Sequence, residues 1–232
     1  MKHDLIIARY GELALKSDGV RKRFENRLAN NIRASIDAEV KVRQARIYIS
    51  PKDFNDAIEK LERIFGIVSY SPAVTTKSTF EDIERDVSKY AEKLHEEGLL
   101  DENTKFAISC RRVGNHEFSS QEMAAFAGAV VVRKYSSPVD LTNPELTIYL
   151  EVRDNDTYIF HEKIPGPGGL PLGTQGKVVA LVSSGIDSPV ATYLMMKRGC
   201  QVIALFCDND PYTTPEALKN FNDLIDQLNL YA

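Results

Sequence analysis

The sequence predicts an α/β protein in which two small α+β units precede the first βαβα portion of a parallel-sheet domain. Segments with the apolar periodicity of strands alternate along the chain with segments that have the periodicity of helices. A glycine- and proline-rich segment over residues 165–176 separates this longer N-terminal part from a shorter C-terminal part. There, a β-branched apolar run leads directly into a small-residue turn and a helix start, as in parallel α/β proteins.

The composition excludes several classes of protein. The 232 residues carry a net charge of −4 and are 43% hydrophobic, which is close to the average of globular proteins and unlike collagen, disordered chains or coiled coils. No stretch approaches the roughly 18 apolar residues of a membrane span, and the N-terminus lacks a hydrophobic signal core. We therefore expect a cytoplasmic protein with no membrane partner. Cys110, Cys200 and Cys207 have no CxxC spacing, which argues against a disulfide framework and a self-contained zinc site. Cys200 and Cys207 flank an apolar strand-like run, and we expect both to be small core residues.

The first unit begins with a short strand over residues 4–9. A helix follows, because apolar residues recur at every fourth position: Val20, Phe24, Leu28, Ile32 and Ile36. A β-rich run over 40–49 and a second helix over 54–65 complete this unit. Residues 1–50 carry a net charge of +5, and the rest of the chain carries −9. A basic lobe of this kind permits RNA binding, although a solvated helix face gives the same pattern.

The second unit repeats the mixture of helices and strands. A helix is predicted over 79–98, a strand over 105–113 and a small-residue helix over 120–135, and a hairpin joins 146–152 to 158–162. We expect these elements to form a compact α/β module.

Residues 165–176 contain five of the 13 glycines and three of the ten prolines, so they are predicted to form a linker or a ligand-facing loop. A buried strand is then predicted over 177–183. A helix over 188–198, a strand over 201–206 and a helix from residue 214 follow. In the first of these helices Ser188 is the expected N-cap and Pro189 the expected first residue.

The turn between the strand and the helix is the candidate site. Its sequence, Ser-Ser-Gly-Ile-Asp-Ser over residues 183–188, places small side chains where backbone N–H groups and a helix dipole can meet a phosphate. Ser183 and Ser188 can add hydroxyl donors, and Asp187 can hold a magnesium ion that bridges phosphates. The Walker and Rossmann glycine patterns are missing. An ordinary connector between a strand and a helix remains the alternative.

This turn resembles the PP-loop of ATP pyrophosphatases. The turn, residues 168–177 and Met195-Met-Lys-Arg-Gly199 together resemble the corresponding segments of the tRNA 4-thiouridine synthetases. This family is also called the tRNA sulfurtransferases. Residues 9–16 resemble the ferredoxin-like domain of that family, and residues 56–164 resemble its THUMP domain. The resemblance implies a ferredoxin-like domain over 1–55, a THUMP domain over 56–164, a linker over 165–176 and a partial PP-loop domain over 177–232.

The family resemblance also implies an activity and its partners. The implied activity is adenylation of a tRNA uridine at O4, followed by displacement of AMP by a persulfide, which gives 4-thiouridine. The implied cofactors are ATP and Mg²⁺, and the implied partners are tRNA and a sulfur donor protein that carries the persulfide. Asp187 and Ser188 are the implied catalytic residues, with Asp187 the Mg²⁺ ligand. The implied ATP contacts are Leu181, Val182, Ser183, Ser184, Gly185, Asp187, Ser188, Leu205 and Phe206. The expected RNA-binding residues are Lys16, Arg21, Lys22, Arg23, Arg111 and Arg112.

The chain departs from the family pattern in two places. Ser184 stands where the family loop has its second glycine, which would weaken ATP binding if that position required a positive φ or the closest approach of a phosphate to the backbone. After residue 176 the sequence offers two strands, few for an α/β sheet, and no cysteine matches the persulfide cysteine. An alternative is therefore a tRNA-binding THUMP protein whose catalytic half is completed by a second polypeptide. A third reading, an unrelated enzyme that adenylates a small amide or acid, leaves residues 1–164 unexplained.

Overall fold

The computed structural model describes residues 2–232, apart from the side chain of Ala14. Met1, the first residue of the predicted N-terminal unit, lies outside the described residues. The strands are β1 (Leu5–Arg9), β2 (Ala38–Arg43), β3 (Arg46–Pro51), β4 (Ser69–Lys77), β5 (Phe106–Val113), β6 (Leu146–Arg153), β7 (Asp156–Phe160), β8 (Ile164–Pro165), β9 (Lys177–Leu181) and β10 (Gln201–Leu205). The helices are α1 (Asp18–Ser35), α2 (Phe54–Leu61), α3 (Phe80–Glu96), α4 (Ser120–Tyr135), α5 (Asp187–Lys197) and α6 (Pro215–Asn229), and a 3₁₀ turn spans Glu12–Leu15.

The chain divides into two compact units. Unit I comprises residues 7–70 and 164–232, and unit II comprises residues 1–6 and 71–163. The boundary expected between residues 55 and 56 falls inside helix α2, whose residues all belong to unit I. That domain division stays a prediction.

Unit I contains helix α1 and the antiparallel pair β2–β3. Phe24, Leu28 and Ile32 of α1 are buried, as the four-residue spacing predicts. Helix α2 is capped by Asp53, whose carboxylate accepts hydrogen bonds from the backbone N–H groups of Asn55 and Asp56. The last part of unit I is a βαβ arrangement in which β9 and β10 pair in parallel and α5 connects them.

Unit II contains strands in the order β4-β7-β6-β5, in which β5 and β6 are parallel and the other pairs are antiparallel. Helices α3 and α4 pack on this sheet around a core that includes Tyr90, Phe106 and Ile148. Thr79 caps α3, and Ser119 forms a capping box with Glu122 at the start of α4. The mixed α/β fold class is confirmed, with a mostly antiparallel sheet.

Segment 165–176 makes more contacts than a free linker would. Pro165 belongs to strand β8, which pairs with Ser69 and Tyr70 of β4. Leu170 is buried, and its backbone N–H donates to the carbonyl of Lys197 at the end of α5 at 2.9 Å. The segment is therefore irregular, as predicted, but attached to α5 by backbone hydrogen bonds.

Three expectations about the C-terminal part were wrong. Strands β9 and β10 are half exposed, because in a two-stranded sheet no described element covers Val179, Leu181, Ile203 and Leu205. Cys207 is exposed and not a core residue, although Cys200 is buried. Helix α5 begins at Asp187 with Ile186 as its N-cap, so Ser188 lies inside the first turn and not at the cap.

No helix in the described range 2–232 is long and apolar enough to span a membrane.

Candidate active site

The candidate site lies at the carboxyl ends of strands β9 and β10. The parallel register pairs Leu181 with Leu205, and the Val182 N–H donates to the Leu205 carbonyl at 2.9 Å. Residues 183 and 206 therefore leave the sheet at the same edge. Ligands of open α/β sheets bind at this edge, where the strands end and the following helices begin.

Hydroxyl groups shape the loop over residues 183–188. The Ser183 N–H donates to Ser188 Oγ at 2.9 Å, and the two serine Oγ atoms lie 3.1 Å apart. The Gly185 N–H donates to Ser183 Oγ at 3.3 Å. Ser188 thus closes the loop from within the first turn of α5, a role different from the predicted cap. These hydrogen bonds hold Ser183, Gly185 and Ser188 together in one small turn.

Thr192 is a supporting residue that the sequence analysis missed. Its hydroxyl donates to the Ser188 carbonyl at 2.8 Å, one helical turn earlier. Thr192 is buried, which fixes the first turn of α5 below the loop. The sequence contains a signal for this contact, because the hydroxyl of a helical Ser or Thr can reach the backbone carbonyl four residues earlier.

The N-terminus of α5 has the properties of an anion site. Ile186 precedes the helix and provides no side-chain capping bond, so the first N–H groups of α5 are not satisfied by a capping side chain. These N–H groups and the helix dipole favour a negative charge. Asp187 is the one acidic residue of segment 183–188, and it is exposed.

Ser184 does not occupy a position whose backbone conformation requires glycine. Within the described residues, the non-glycine positions with positive φ are Gln44, Ala45, Ser136 and Asp154. The backbone at Ser184 therefore tolerates a Cβ atom without conformational strain. One of the two expected causes of weakened ATP binding, a positive φ at this residue, is therefore absent.

The other residues assigned to ATP differ in what they present to the site. Val182 is buried, so its side chain is covered by protein, whereas the side chain of Leu181 is exposed. The Phe206 ring packs on Phe221 of α6, with ring centroids 4.9 Å apart. One face of Phe206 is therefore already covered by a side chain of unit I.

Asp187 is the carboxylate that the turn over residues 183–188 offers to a magnesium ion. Groups of three or more His, Cys, Asp or Glu side chains that could hold a metal do not occur in the described part of the chain. Mg²⁺ commonly keeps several waters and binds one or two carboxylates together with substrate phosphates. Asp187 beside a phosphate-binding turn fits that pattern.

The expected RNA-binding residues occur in two places. Lys16, Lys22 and Arg23 are exposed at or near the start of α1, and Arg21 there donates to Asp18 at 2.7 Å. Arg111 and Arg112 lie on β5 of unit II. Successive residues of a strand point to opposite faces, so these two side chains cannot present one continuous surface.

Family models match three consecutive segments. The ThiI ferredoxin-like domain matches residues 5–71, the THUMP domain matches 77–162, and the thiamine biosynthesis protein (ThiI) matches 173–232. A probable tRNA sulfurtransferase of Methanobrevibacter smithii is 62% identical over all 232 residues, which cover 61% of that protein. The chain thus spans about three fifths of the length of this curated relative.

Solved structures show the same fold. The structure of PH1313 from Pyrococcus horikoshii Ot3 matches with a TM-score of 0.86 and 34% identity, over 98% of this chain and 74% of that one. A 4-thiouridine synthetase–RNA complex with bound ATP matches with a TM-score of 0.84 and 32% identity, over 99% of this chain and 59% of that one.

Fold and matches together define a class of proteins that combine a ferredoxin-like domain, a THUMP domain and a ThiI-type segment. Within that class, the chain belongs to the tRNA sulfurtransferase family.

Proposed function

We propose that this chain supplies the tRNA-binding part and the ATP-binding loop of an enzyme that transfers sulfur to a tRNA uridine and produces 4-thiouridine. The observation that carries the proposal is the turn over 183–188, placed at the end of two parallel strands and at the uncapped start of α5. The relative that binds both RNA and ATP supports the assignment of both ligands.

In the proposed reaction, uridine O4 attacks the α-phosphorus of ATP and pyrophosphate leaves. The outer sulfur of a persulfide on a donor protein then attacks C4, and AMP leaves. The uridine is now joined to the donor through an S–S bond, and a second thiol attacks the donor sulfur of that bond, which forms a disulfide and releases 4-thiouridine. In this chain, the first N–H groups of α5 and the hydroxyls of Ser183 and Ser188 hold the phosphates. Asp187 would hold Mg²⁺, which would supply positive charge beside the phosphates. The hydrogen bonds from the Ser183 N–H to Ser188 Oγ and from the Gly185 N–H to Ser183 Oγ position the two hydroxyls in the turn.

The two α+β portions hold the tRNA. We propose a ferredoxin-like domain that ends near residue 71 and a THUMP domain that follows it, in agreement with the matched segments. Basic residues at the start of α1 and on β5 bind phosphates of the RNA. The protein works in the cytoplasm, where its tRNA substrate is found.

A second candidate function is tRNA binding without catalysis by this chain alone. The exposed apolar face formed by Val179, Leu181, Ile203 and Leu205 favours it, since such a face is normally covered in a parallel sheet. In that case a second polypeptide supplies the rest of the PP-loop domain.

Two assays on the purified chain separate these functions. Binding of a labelled, unmodified tRNA transcript is expected in both cases and should weaken as salt is increased. Pyrophosphate release from ATP in the presence of tRNA is expected for the complete activity. Absence of release with intact tRNA binding would select the second function, and absence of tRNA binding would contradict both.

A further inference from the structure

Helix α5 has two ends with different surroundings. Its first turn carries the candidate phosphate-binding turn over residues 183–188, and its last turn meets residues 168–175, which we call the strap. The helix has 11 residues and is therefore about 16 Å long. A regular helix of this length behaves as a rigid element, so a displacement of its last turn also moves its first turn.

The strap forms hydrogen bonds with the carboxyl end of α5. The Leu170 N–H donates to the Lys197 carbonyl at 2.9 Å. The Gly199 carbonyl, just beyond the helix, accepts from the N–H groups of Gly173 and Gln175 at 2.9 and 3.1 Å. The last carbonyls of a helix have no partner inside the helix, so the strap supplies a partner that α5 lacks.

Two glycines let the strap lie directly against the end of α5. A Cβ atom at Gly169 would lie 2.1 Å from the Lys197 carbonyl oxygen. A Cβ atom at Gly199 would lie 2.5 Å from Thr174 Oγ1 and 3.0 Å from the Pro171 carbonyl oxygen. A side chain at either position would therefore push the strap and the helix end apart.

The strap is also fixed to the first half of unit I. The Gly66 N–H donates to the Gly168 carbonyl at 2.8 Å, and the Gly168 N–H donates to the Ile67 carbonyl at 2.8 Å. Asn31 Nδ2 of α1 donates to the Leu172 carbonyl at 3.2 Å. The strap therefore connects the end of α5 to α1 and to the segment before β4.

The ion pair between Arg198 and Glu12 is a second connection at this end. Arg198 directly follows α5, and Glu12 begins the 3₁₀ turn that precedes α1. The Nη1 atom of Arg198 lies 2.8 and 3.0 Å from the two carboxylate oxygens of Glu12. One side of α5 is open, since Val190 and Leu194 are exposed. The strap and the ion pair thus add contacts that the packing of the helix alone does not provide.

We propose that the strap and the Arg198–Glu12 pair are positioning elements for the ATP site, which hold α5 so that its first N–H groups and Ser188 face the phosphates. They act through the helix, from its opposite end, and do not touch ATP. They also keep the ATP site at a fixed distance from α1, at whose start we propose that tRNA binds. The inference rests on the proposed binding of ATP by the turn over residues 183–188.

A double-mutant cycle tests the ion pair. Isothermal titration with ATP and Mg²⁺ compares the wild-type chain with Glu12→Gln, Arg198→Gln and the double variant. An exposed pair contributes at most about 1 kcal/mol, which is about fivefold in a dissociation constant. We therefore expect each single variant to bind ATP about three- to fivefold more weakly. The double variant should lose no more than a single one, because the two residues act as a unit.

The matched control is Lys52→Gln/Asp37→Asn, which removes another exposed ion pair of unit I, with 2.7 Å between Lys52 Nζ and Asp37 Oδ2. Its affinity for ATP should stay within about 1.5-fold of the wild type, although it loses a comparable interaction. The charge-reversed variant Glu12→Arg/Arg198→Glu should regain most of the ATP affinity, because the opposite pair can form. Urea unfolding verifies that all variants are folded.

Gly169→Ala tests the strap independently of charge. Its Cβ atom would displace the Lys197 carbonyl, so we expect ATP affinity to fall by about tenfold or more, as misplacement by about 1 Å is costly in a binding site. Gly168→Ala is the control, because a Cβ atom at Gly168 meets nothing within 4 Å. This variant should bind ATP like the wild type.

The outcomes separate the inference from the proposed function. If the wild type binds ATP and either the ion-pair variants or a folded Gly169→Ala variant retain its affinity, the inference is overturned and the proposed function stands. Additive losses in the cycle, or an equal loss in the Lys52 and Asp37 control, would also overturn it. If the wild type does not bind ATP, the proposed ATP site and this inference are both contradicted.

Discussion

Arg198 Nη1 lies 2.8 Å from Oε1 of Glu12 and 3.0 Å from Oε2, across 186 residues of sequence. Each residue belongs to a segment that carries the family resemblance, Glu12 to residues 9–16 and Arg198 to residues 195–199. Both side chains are about half exposed, so the pair contributes at most about 1 kcal/mol to stability. Its significance is positional, because it joins the 3₁₀ turn that precedes α1 to the end of α5 within unit I.

Substitution of Gly169 should destabilise unit I. The φ of Gly169 is +78°, and a Cβ atom there would lie 2.1 Å from the Lys197 carbonyl oxygen. We expect Gly169→Ala to lower the free energy of unfolding by about 2–4 kcal/mol, measured by urea denaturation. Gly168→Ala is the matched control, since Gly168 has a φ of +70° but open space around it, and about 1 kcal/mol is expected. Equal losses in the two variants would show that the contact with α5 is unimportant.

Replacement of Ser184 by glycine should change ATP affinity little. The family resemblance suggested that serine weakens binding here, but Ser184 has no positive φ. We expect Ser184→Gly to alter the dissociation constant for ATP by no more than about threefold, as glycine mainly adds backbone freedom. Isothermal titration with ATP and Mg²⁺ measures it. A gain of tenfold or more would mean that the Cβ atom obstructs the phosphate.

Loss of the Asp187 carboxylate should remove ATP binding and spare tRNA binding. Asp187→Ala is expected to reduce the affinity for ATP with Mg²⁺ by about tenfold or more, since the metal would lose its protein ligand. The affinity for a tRNA transcript should remain within about twofold of the wild type. Asp223→Ala, which removes an exposed carboxylate of α6, serves as the control and should leave both affinities unchanged. Simultaneous loss of ATP and tRNA binding in a folded Asp187→Ala variant would show that the two sites are wrongly assigned.

Stability of unit II should fall as the pH decreases from about 6.5 to 4. Burial, assisted by the charge of Lys93, lowers the pKa of His3 from 6.5 to about 4. Burial also lowers the pKa of His161, while Glu162 and Glu97 oppose the shift. Between these pH values the unfolded chain binds more protons than the folded one, so acid favours unfolding.

His3→Gln tests this pH dependence. Urea denaturation at pH 7.5, 6 and 5 gives the free energy of unfolding at each pH. Between pH 7.5 and 5 this free energy should fall less in the variant than in the wild type, by about 1–2 kcal/mol, a value reduced for the partial exposure of His3. Lys93 Nζ lies 2.9 Å from His3 Nε2, so the variant also loses a hydrogen bond at neutral pH. Parallel profiles for the variant and the wild type would contradict the role of His3.

Much of the fold could be predicted from local patterns. The helix around Phe24, Leu28 and Ile32 and the hairpin of β6 and β7 follow from apolar spacing and turn residues. The parallel pairing of β9 and β10 follows from the strand–helix–strand order. These features depend on residues near each other in sequence, which is why a single sequence was sufficient.

Other features depend on distant contacts. Ser188 was expected to cap α5, but its Oγ accepts a hydrogen bond from the Ser183 N–H, and the cap is Ile186, two residues earlier. Exposure of Val179 and Ile203 depends on what covers the sheet, which the β-branched composition of a strand does not reveal. The hydrogen bond from Asn31 to the Leu172 carbonyl requires a segment 141 residues later in the sequence to lie against α1.

The most direct test of the proposed function is the amount of 4-thiouridine in tRNA from cells that lack this protein, measured by its absorbance after digestion to nucleosides. We predict that 4-thiouridine disappears, returns when the wild-type gene is restored, and does not return with Asp187→Ala. An unchanged level of 4-thiouridine in the deletion strain would contradict the proposed function.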